Sequence, residues 1–426
     1  MKERTKHLQE TKKMRFKEVY EKWRSGSLTQ EAAAEVLGIS DRTFRRYLAA
    51  HDDQGLEGLI DHRLEEISHK RAPLDEVMRL QENYKTRYFG WNVKHYYSKY
   101  RKQENAPRSY TWVKNTLQSA GLVEKQPSKG KHRKRRERSA MEGMMIHQDG
   151  STHLWVPGVY WDLIVTMDDA TNEHYSMFFV PQEGTLSSLR GIEEVIQKKG
   201  LFCSFYTDRG SHYWVTPKAG GKVDKENLTQ VGKALKQLGI EMIPAYSPEA
   251  RGRSERAFKT HQGRLPKELA AAGIRTIDEA NRYLKEVYMP AFNEEFTVEA
   301  GVEGSAFVRL LPGQEVRDML CEKHERVVHK NNCVFFHGKW LQIPENTHRM
   351  NYVKVKVKVN HYPDGSSAIF HGPRKLASYT ESGELISLEK LQKQTLLSED
   401  DLSFIRSLSV ISGQTENRTF LFAPNI

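Results

Sequence analysis

At Met141 the spacing of apolar residues changes from three or four to two, and no other feature constrains the fold of this chain as tightly. Upstream, Phe16, Val19, Tyr20 and Trp23 recur at helical intervals. Downstream, MMIHQDG, VYWDLIVTMDDA and HYSMFFV read as strands separated by turn residues. A segment patterned for one period does not settle as the other, so an all-α region followed by a region containing a sheet is expected. With 426 residues there is room for two to four domains, each with its own core. No apolar run approaches the ~18 residues of a membrane span. The opening MKERTKHLQETKKMRF lacks the apolar stretch of a secretory signal. Cys203, Cys321 and Cys333 are too few for a disulfide framework. A cytoplasmic multidomain protein with no membrane partner is therefore expected.

Charge is distributed unevenly. The net formal charge is +11, yet residues 1–140 carry 32 Lys+Arg against 19 Asp+Glu, while residues 141–426 carry 34 against 36. All the excess positive charge thus lies in the first third. Such a block is the electrostatic footprint of phosphate-backbone binding. Anionic lipid and plain solubility are the competing explanations.

Within that third, Thr29 caps a helix over TQEAAAEVLG, Gly38 falls at a tight turn, and Ser40 caps SDRTFRRYLAA. Ala34, Gly38 and Phe44 occupy the small, turn and core places of a helix-turn-helix unit, and Arg42, Arg45 and Arg46 then face DNA. The alternative is an ordinary helical hairpin with a solvated basic face. A second helical unit follows, in which SYTWVKNTLQSAGLV offers Ser109, Thr111, Lys114 and Asn115 to DNA, or else packs through Trp112 and Leu117. The run KGKHRKRRER, with Arg133, Lys134, Arg135 and Arg136 at its centre, repels itself and reads as an extended linker tracking phosphates.

The central pattern is three strands, helix, strand, helix, strand, helix: a mixed sheet with packed helices. Asp149 is expected to end the first strand, Asp208 the fourth, and Glu255 to lie early in the last helix. In that topology three acids distant in sequence converge. Clustered carboxylates repel unless a cation sits between them, and Mg²⁺ suits them while keeping positions open for phosphate and water. Two such ions ~3.5–4 Å apart serve phosphodiester displacement.

HQDGSTHLW, TMDDAT, YTDRGSHY and SPEARGRSE resemble the motifs of DDE transposases and retroviral-type integrases, and most closely bacterial insertion-sequence transposases of the ISNCY group. The resemblance implies an RNase H-like catalytic domain in which Asp149, Asp208 and Glu255 bind metal, with two Mg²⁺ or Mn²⁺ ions. It implies that Lys259, one turn after Glu255, touches the DNA terminus; a surface lysine is the other reading. Glu249 rivals Glu255, which is preferred for the order Pro248, Gly252, Glu255. Asp168 and Asp169 are expected to be structural. The 47 residues from Asp208 to Glu255 exceed the retroviral-type spacing, and residues 214–227 look like a surface insertion.

Farther on, VKVKVKV alternates as a strand with a lysine face, and Pro363-Asp364-Gly365 turns back into SSAIFH. With NCVFFHGKWLQIP this suggests a small β-barrel whose lysines hold DNA or guard an edge. Cys321, His324, His329 and Cys333 have nearly zinc-knuckle spacing, although the intervening strands would separate them.

The expected organisation is a helix-turn-helix domain at 1–66, a second helical DNA-binding unit at 67–128, a basic linker at 129–140, an RNase H-like catalytic domain at 141–300 and a β-rich domain at 301–426. The expected activity is DNA transposition: metal-dependent cleavage and strand transfer on transposon-end and target DNA, in a dimer or larger synaptic complex at the nucleoid. A non-catalytic regulator or decayed transposase, and an RNase H-like nuclease, are the rivals.

Overall fold

The computed structural model describes residues 3–60, 71–104, 108–125, 137–218, 221–246, 252–310 and 316–386. The chain divides into two units, Met1–Phe89 with Arg108–Glu124, and Gly90–Pro107 with Lys125–Ile426. Arg133, Lys134, Arg135, Arg136, Pro248, Glu249 and the tail from residue 387 onward lie outside the described residues.

The first unit begins with helices α1 (Glu3–Arg24), α2 (Gln30–Leu37) and α3 (Asp41–Gln54). The Thr29 hydroxyl accepts from Ala32 N and the Ser40 hydroxyl from Thr43 N, each at 3.2 Å, so both expected N-caps form. Gly38 ends α2 at φ 65°, a conformation that costs glycine least. Phe16, Val19, Ala33, Ala34, Phe44 and Leu48 share one core. Leu74–Arg87 (α4) and Tyr110–Ser119 (α6) flank Val93–Glu104 (α5) in the chain, but only α4 and α6 belong to this unit. Arg108 grips Glu76 with both arms of its guanidinium, at 2.8 and 2.6 Å. Val113, rather than Trp112, shares full burial with Leu117.

The second unit is built on strands β1 (Met145–Val156), β2 (Val159–Asp168), β3 (His174–Val180), β4 (Ser204–Thr207) and β5 (Glu241–Pro244), in the order β3-β2-β1-β4-β5. The first three are antiparallel neighbours, and β4 and β5 join in parallel. Helices α7 (Thr185–Lys199) and α8 (Gln230–Gln237) cover one face through Leu189, Ile192, Val195, Val231 and Leu235. Helices α9 (Gly252–Ala271), α10 (Ile277–Tyr283) and α11 (Met289–Phe296), with a π turn at Leu284–Tyr288, cover the other through Phe258, Leu265, Leu269, Leu284 and Phe292. Because both faces are covered, β2 is buried almost throughout.

Three expectations need correction here. Asp149 lies inside β1 rather than at its end, because antiparallel pairing with β2 carries the strand on to Val156. Trp214, placed by the sequence in a surface insertion, is buried, and its indole N–H reaches Thr207 Oγ1 at 3.0 Å. Residues 67–128 do not stay together: α5 is held in the second unit by His95 and Lys99, which reach Glu268 of α9 at 2.7 and 2.8 Å.

The last strands are β6 (Glu322–Val327), β7 (Cys333–Phe336), β8 (Lys339–Gln342), β9 (Lys356–His361), β10 (Ser367–His371) and β11 (Arg374–Tyr379). They form a sheet β11-β10-β9-β6 and a separate β7-β8 hairpin around Val334, Phe336, Leu341, Val357, Val359 and Ile369. Among the described residues no barrel closes, since β6 and β11 both remain edges. The run VKVKVKV is a strand only from Lys356. Before it, Lys354 adopts φ 62° while its N–H and the Val355 carbonyl bond Val328, which bends the chain. Gly365 makes the expected hairpin turn at φ 79°, donating to Tyr362 O at 3.0 Å.

Under the sheet, His174 and His261 meet at 3.0 Å through their Nε2 atoms, both fully buried. His174 Nδ1 faces the Asn172 carbonyl at 2.9 Å and His261 Nδ1 faces the Tyr288 hydroxyl at 3.0 Å, so two neutral rings complete one donor–acceptor chain. Burial pushes His174 from 6.5 to about 4, and burial together with His174 and Arg264 pushes His261 down. As pH falls below 6.5 the unfolded chain takes up the proton first, so stability is full above that value and declines toward pH 4. Urea unfolding at pH 5.5 should therefore show about 1.4 kcal/mol less stability than at pH 7.5 from His174 alone. A flat profile across that window would contradict the buried neutral pair.

Among the described residues no helix is long and apolar enough to cross a membrane.

Candidate active site

The site is built where β1 and β4 part. Their parallel pairing ends at His147 opposite Tyr206, whose rings lie 4.8 Å apart. Asp149 and Asp208 each stand two residues farther on, so side-chain alternation brings them out at the same level of neighbouring strands. Asp149 is 8% exposed. Asp208 follows β4, and its Oδ1 accepts from Gly210 N at 2.9 Å, a turn that fixes the carboxylate.

Two residues that the sequence reading missed lie on the other face of β1, against Gly150 and the turn after Asp208. Glu183, just before α7, lies over Gly150: a Cβ on Gly150 would fall 2.1 Å from Glu183 Oε2. His212, in the turn after Asp208, brings Nε2 to 3.3 Å from Glu183 Oε1. That approach is a close polar contact rather than a hydrogen bond, since this nitrogen has no hydrogen-bond partner. Between these groups the buried Tyr213 donates to Gln148 Oε1 at 2.8 Å. Burial, and then the charges of Glu183, Asp149 and Asp208, push its phenol well above the ordinary tyrosine range. One phenol therefore feels three carboxylates. The small residue after Asp149 was the only sign of this in the sequence, and a lone glycine does not name its neighbour.

Glu255 lies in the first turn of α9, exposed, with Lys259 exposed one turn later on the same side. Helix α9 runs along β1, where Gln262 Nε2 donates to Ser151 Oγ at 3.0 Å. Its start is tied down by Arg253, whose guanidinium contacts Asp169. Asp169 is fully buried and also takes the His147 imidazole at 2.7 Å and Ser139 N at 2.7 Å. Neighbouring Asp168 accepts from Gly143 N at 2.9 Å and Thr171 N at 2.8 Å. Burial raises its carboxyl, and those hydrogen bonds oppose the rise only in part. Both acids serve the architecture, and Asp169 joins the strand of Asp149 to the helix of Glu255.

Among the described residues no three His, Cys, Asp or Glu side chains group closely enough to hold a metal ion. Extending the β1–β4 register sets Asp149 and Asp208 level with one another; Glu255 is not gathered with them into such a group. The zinc-like set does not assemble either. Cys321 packs with Tyr362 and Ala368, while Cys333 donates to Gln342 Oε1 at 2.8 Å. Burial pushes both thiols up, Cys321 to about 12.

Of the residues assigned to DNA, Arg42, Arg45 and Arg46 are exposed on α3, opposite the buried Phe44 and Leu48. Arg45 pairs with Asp41 at 2.8 Å. On α6, Asn115 is exposed and Lys114 half-buried. The Ser109 hydroxyl is occupied in capping, accepting from Trp112 N at 3.3 Å.

No family model matches the chain. It is 29% identical over 357 residues to a Sinorhizobium fredii protein named "Putative transposase y4bF", covering 82% of this chain and 76% of that protein. It is 26% identical over 371 residues to a Streptococcus pneumoniae protein named as the transposase for insertion sequence IS1202, covering 78% of each. Among solved structures it is similar to a simian T-cell lymphotropic virus intasome in complex with a PP2A regulatory subunit. That match has a TM-score of 0.32 and 13% identity, covering 62% of this chain and 85% of that one. It is also similar to the HTLV-2 integrase catalytic core in complex with magnesium, with a TM-score of 0.27 and 15% identity, covering 35% of this chain and 91% of that one. At these scores the two structural likenesses decide nothing.

Proposed function

Taking as premise that the chain is a relative of bacterial transposases along most of its length, we propose that it is a DDE transposase with an RNase H-like catalytic domain. The observation that carries this reading is the pair Asp149 and Asp208, level on neighbouring strands of a β3-β2-β1-β4-β5 sheet. Two carboxylates at adjacent positions are hard oxygen donors and fit Mg²⁺ or Mn²⁺. Asp149 and Asp208 would hold the cation, with Glu255 as the third ligand supplied by the first turn of α9. Bound there, divalent ions lower the pKa of water and neutralise charge on a leaving oxygen.

The remaining work falls to the chain itself. Asp149 is carried on β1 and Asp208 on the turn that closes β4, which would keep the reacting phosphate in register. Lys259, exposed one turn beyond Glu255, offers its ammonium to the DNA terminus. Carboxylates alone provide no covalent protein nucleophile. In the first step water attacks a phosphodiester phosphorus and the 3′ oxygen leaves as a hydroxyl, with the phosphate kept on the 5′ side; in the second that hydroxyl attacks a target phosphorus in line, forming a new phosphodiester as the target's own 3′ oxygen leaves. The helix-turn-helix reading of α2 and α3 gives element-end recognition, and the exposed Lys356 and Lys358 of β9 give the C-terminal sheets a DNA-facing row. Joining two ends requires a dimer or larger complex on DNA.

The test is a joining assay on DNA spanning the gene's own flanks, with Mg²⁺ and a supercoiled target. Joined products are expected, and chelation should abolish them. Binding without cutting would establish a regulator, and cutting without joining a nuclease.

If α3 faces DNA, replacing Arg42, Arg45 and Arg46 by alanine lowers affinity and also its salt dependence. The slope of log K against log salt should flatten by about 0.9 for each phosphate that is no longer neutralised. An unchanged slope in a salt titration would remove α3 from the interface.

A further inference from the structure

We propose that Glu183 is a positioning residue that sets the spacing between Asp149 and Asp208 through His212. The inference rests on the catalytic reading of those two aspartates and extends it to a carboxylate outside the three-acid set.

The geometry forms a continuous bridge. Hydrogen-bonded pairing of β1 with β4 stops at His147 and Tyr206, short of both aspartates. Beyond that point the ladder no longer fixes how far Asp208 stands from β1. Glu183 lies against the back of β1, on the face covered by α7, close to where this pairing stops. Its backbone N–H donates to Asp162 Oδ2 at 2.6 Å, and Asp162 Oδ1 takes the Thr152 hydroxyl at 2.5 Å, so the residue is moored to β1 and β2. Its carboxylate then lies on the β1 backbone at Gly150, where an added Cβ would fall 2.1 Å from Oε2 and 2.5 Å from Cδ. Only glycine leaves that seat open, one residue after Asp149 and on the opposite face of β1.

The other carboxylate oxygen reaches His212 Nε2 at 3.3 Å. His212 in turn abuts the Asp208 turn, since a Cβ on Gly210 would lie 3.0 Å from both Asp208 Oδ1 and His212 Cε1. Asp149, Gly150, Glu183, His212, Gly210 and Asp208 are thus linked one to the next. Glu183 is 24% exposed and His212 18%, so both are sheltered but not sealed from solvent.

The experiment uses the full chain and three variants, Glu183→Ala, Gly150→Ala and the double substitution, with magnesium calorimetry beside the joining assay. Glu183→Ala should lower kcat about tenfold to a hundredfold, the range for groups that orient ligands, with the KM for DNA within about twofold. The Mg²⁺ dissociation constant should rise by a similar factor while the melting temperature stays near wild type. Gly150→Ala, which displaces the same carboxylate, should reproduce both effects. Because the two residues act through one contact, the double variant should be no worse than the poorer single variant. Wild-type Mg²⁺ affinity in Glu183→Ala, or effects that multiply in the double variant, would overturn the inference. A wild-type protein that cuts no DNA would defeat the catalytic reading instead, and calorimetry on Glu183→Ala would still decide this one.

Discussion

Asp208→Asn should abolish DNA cleavage and joining while leaving the protein folded. Asparagine keeps the Oδ1 that accepts from Gly210 N at 2.9 Å, so the turn after β4 survives. What disappears is the negative charge that a divalent cation needs. A loss on the order of a thousandfold, equivalent to about 4 kcal/mol of barrier, is expected in the rate of 3′-hydroxyl formation. Stability should hold, because the turn and its hydrogen bond are kept. Loss of activity without loss of stability marks a functional rather than a structural acid. Activity within tenfold of wild type, measured by product formation alongside thermal melting, would remove Asp208 from the chemistry.

Glu268→Ala should have the reverse signature, a large loss of stability. Glu268 is 7% exposed and accepts from His95 at 2.7 Å, Lys99 at 2.8 Å and Tyr283 at 2.5 Å. Burial alone would raise its carboxyl, but these three donors outweigh burial and hold it at about 2. Alanine leaves them without an acceptor beneath α5, at a cost of about 3–5 kcal/mol. Since the folded value lies below the unfolded 4.5, the stabilisation is complete above pH 4.5 and is lost as pH falls toward 2. Glu268→Gln should lack that acid limb. A shift below about 1 kcal/mol in urea unfolding of Glu268→Ala would mean that water replaces the carboxylate. Helix α5 should become protease-sensitive in this variant, because His95 and Lys99 lose the acceptor that moors them, with Lys102–Glu294 and Ser98–Glu295 among the polar contacts that remain.

Where a signal is local, the residues themselves announce the structure. Thr29, Gly38 and Ser40 act on their own helix ends, and a cap needs nothing from the rest of the chain. The strands from Met145 to Val180 and helix α7 follow from apolar spacing, which is a property of neighbouring residues. Expectation and structure part where distant groups intervene. VKVKVKV alternates perfectly, yet Val328 claims the backbone of Lys354 and Val355 and shortens the strand. Trp214 sits among loop residues, yet core contacts and Thr207 bury it.

The same division holds at the candidate site. Asp208 and Glu255 are acids close to element boundaries, which residue order carries, whereas Asp149 was expected at a strand end and lies inside β1 because pairing with β2 runs on. The sequence by itself also determined the helical start, the mixed central region and the basic first third, all consequences of spacing and charge along the chain. Only the tertiary structure decided that Glu183 lies on Gly150, that His212 reaches it, that α5 belongs with α9, and that Asp169 ties β1 to α9. Those contacts join residues separated by up to 173 positions. They arise because sheet register and helix packing set which side chains share space, and neither is written in the identity of any one residue.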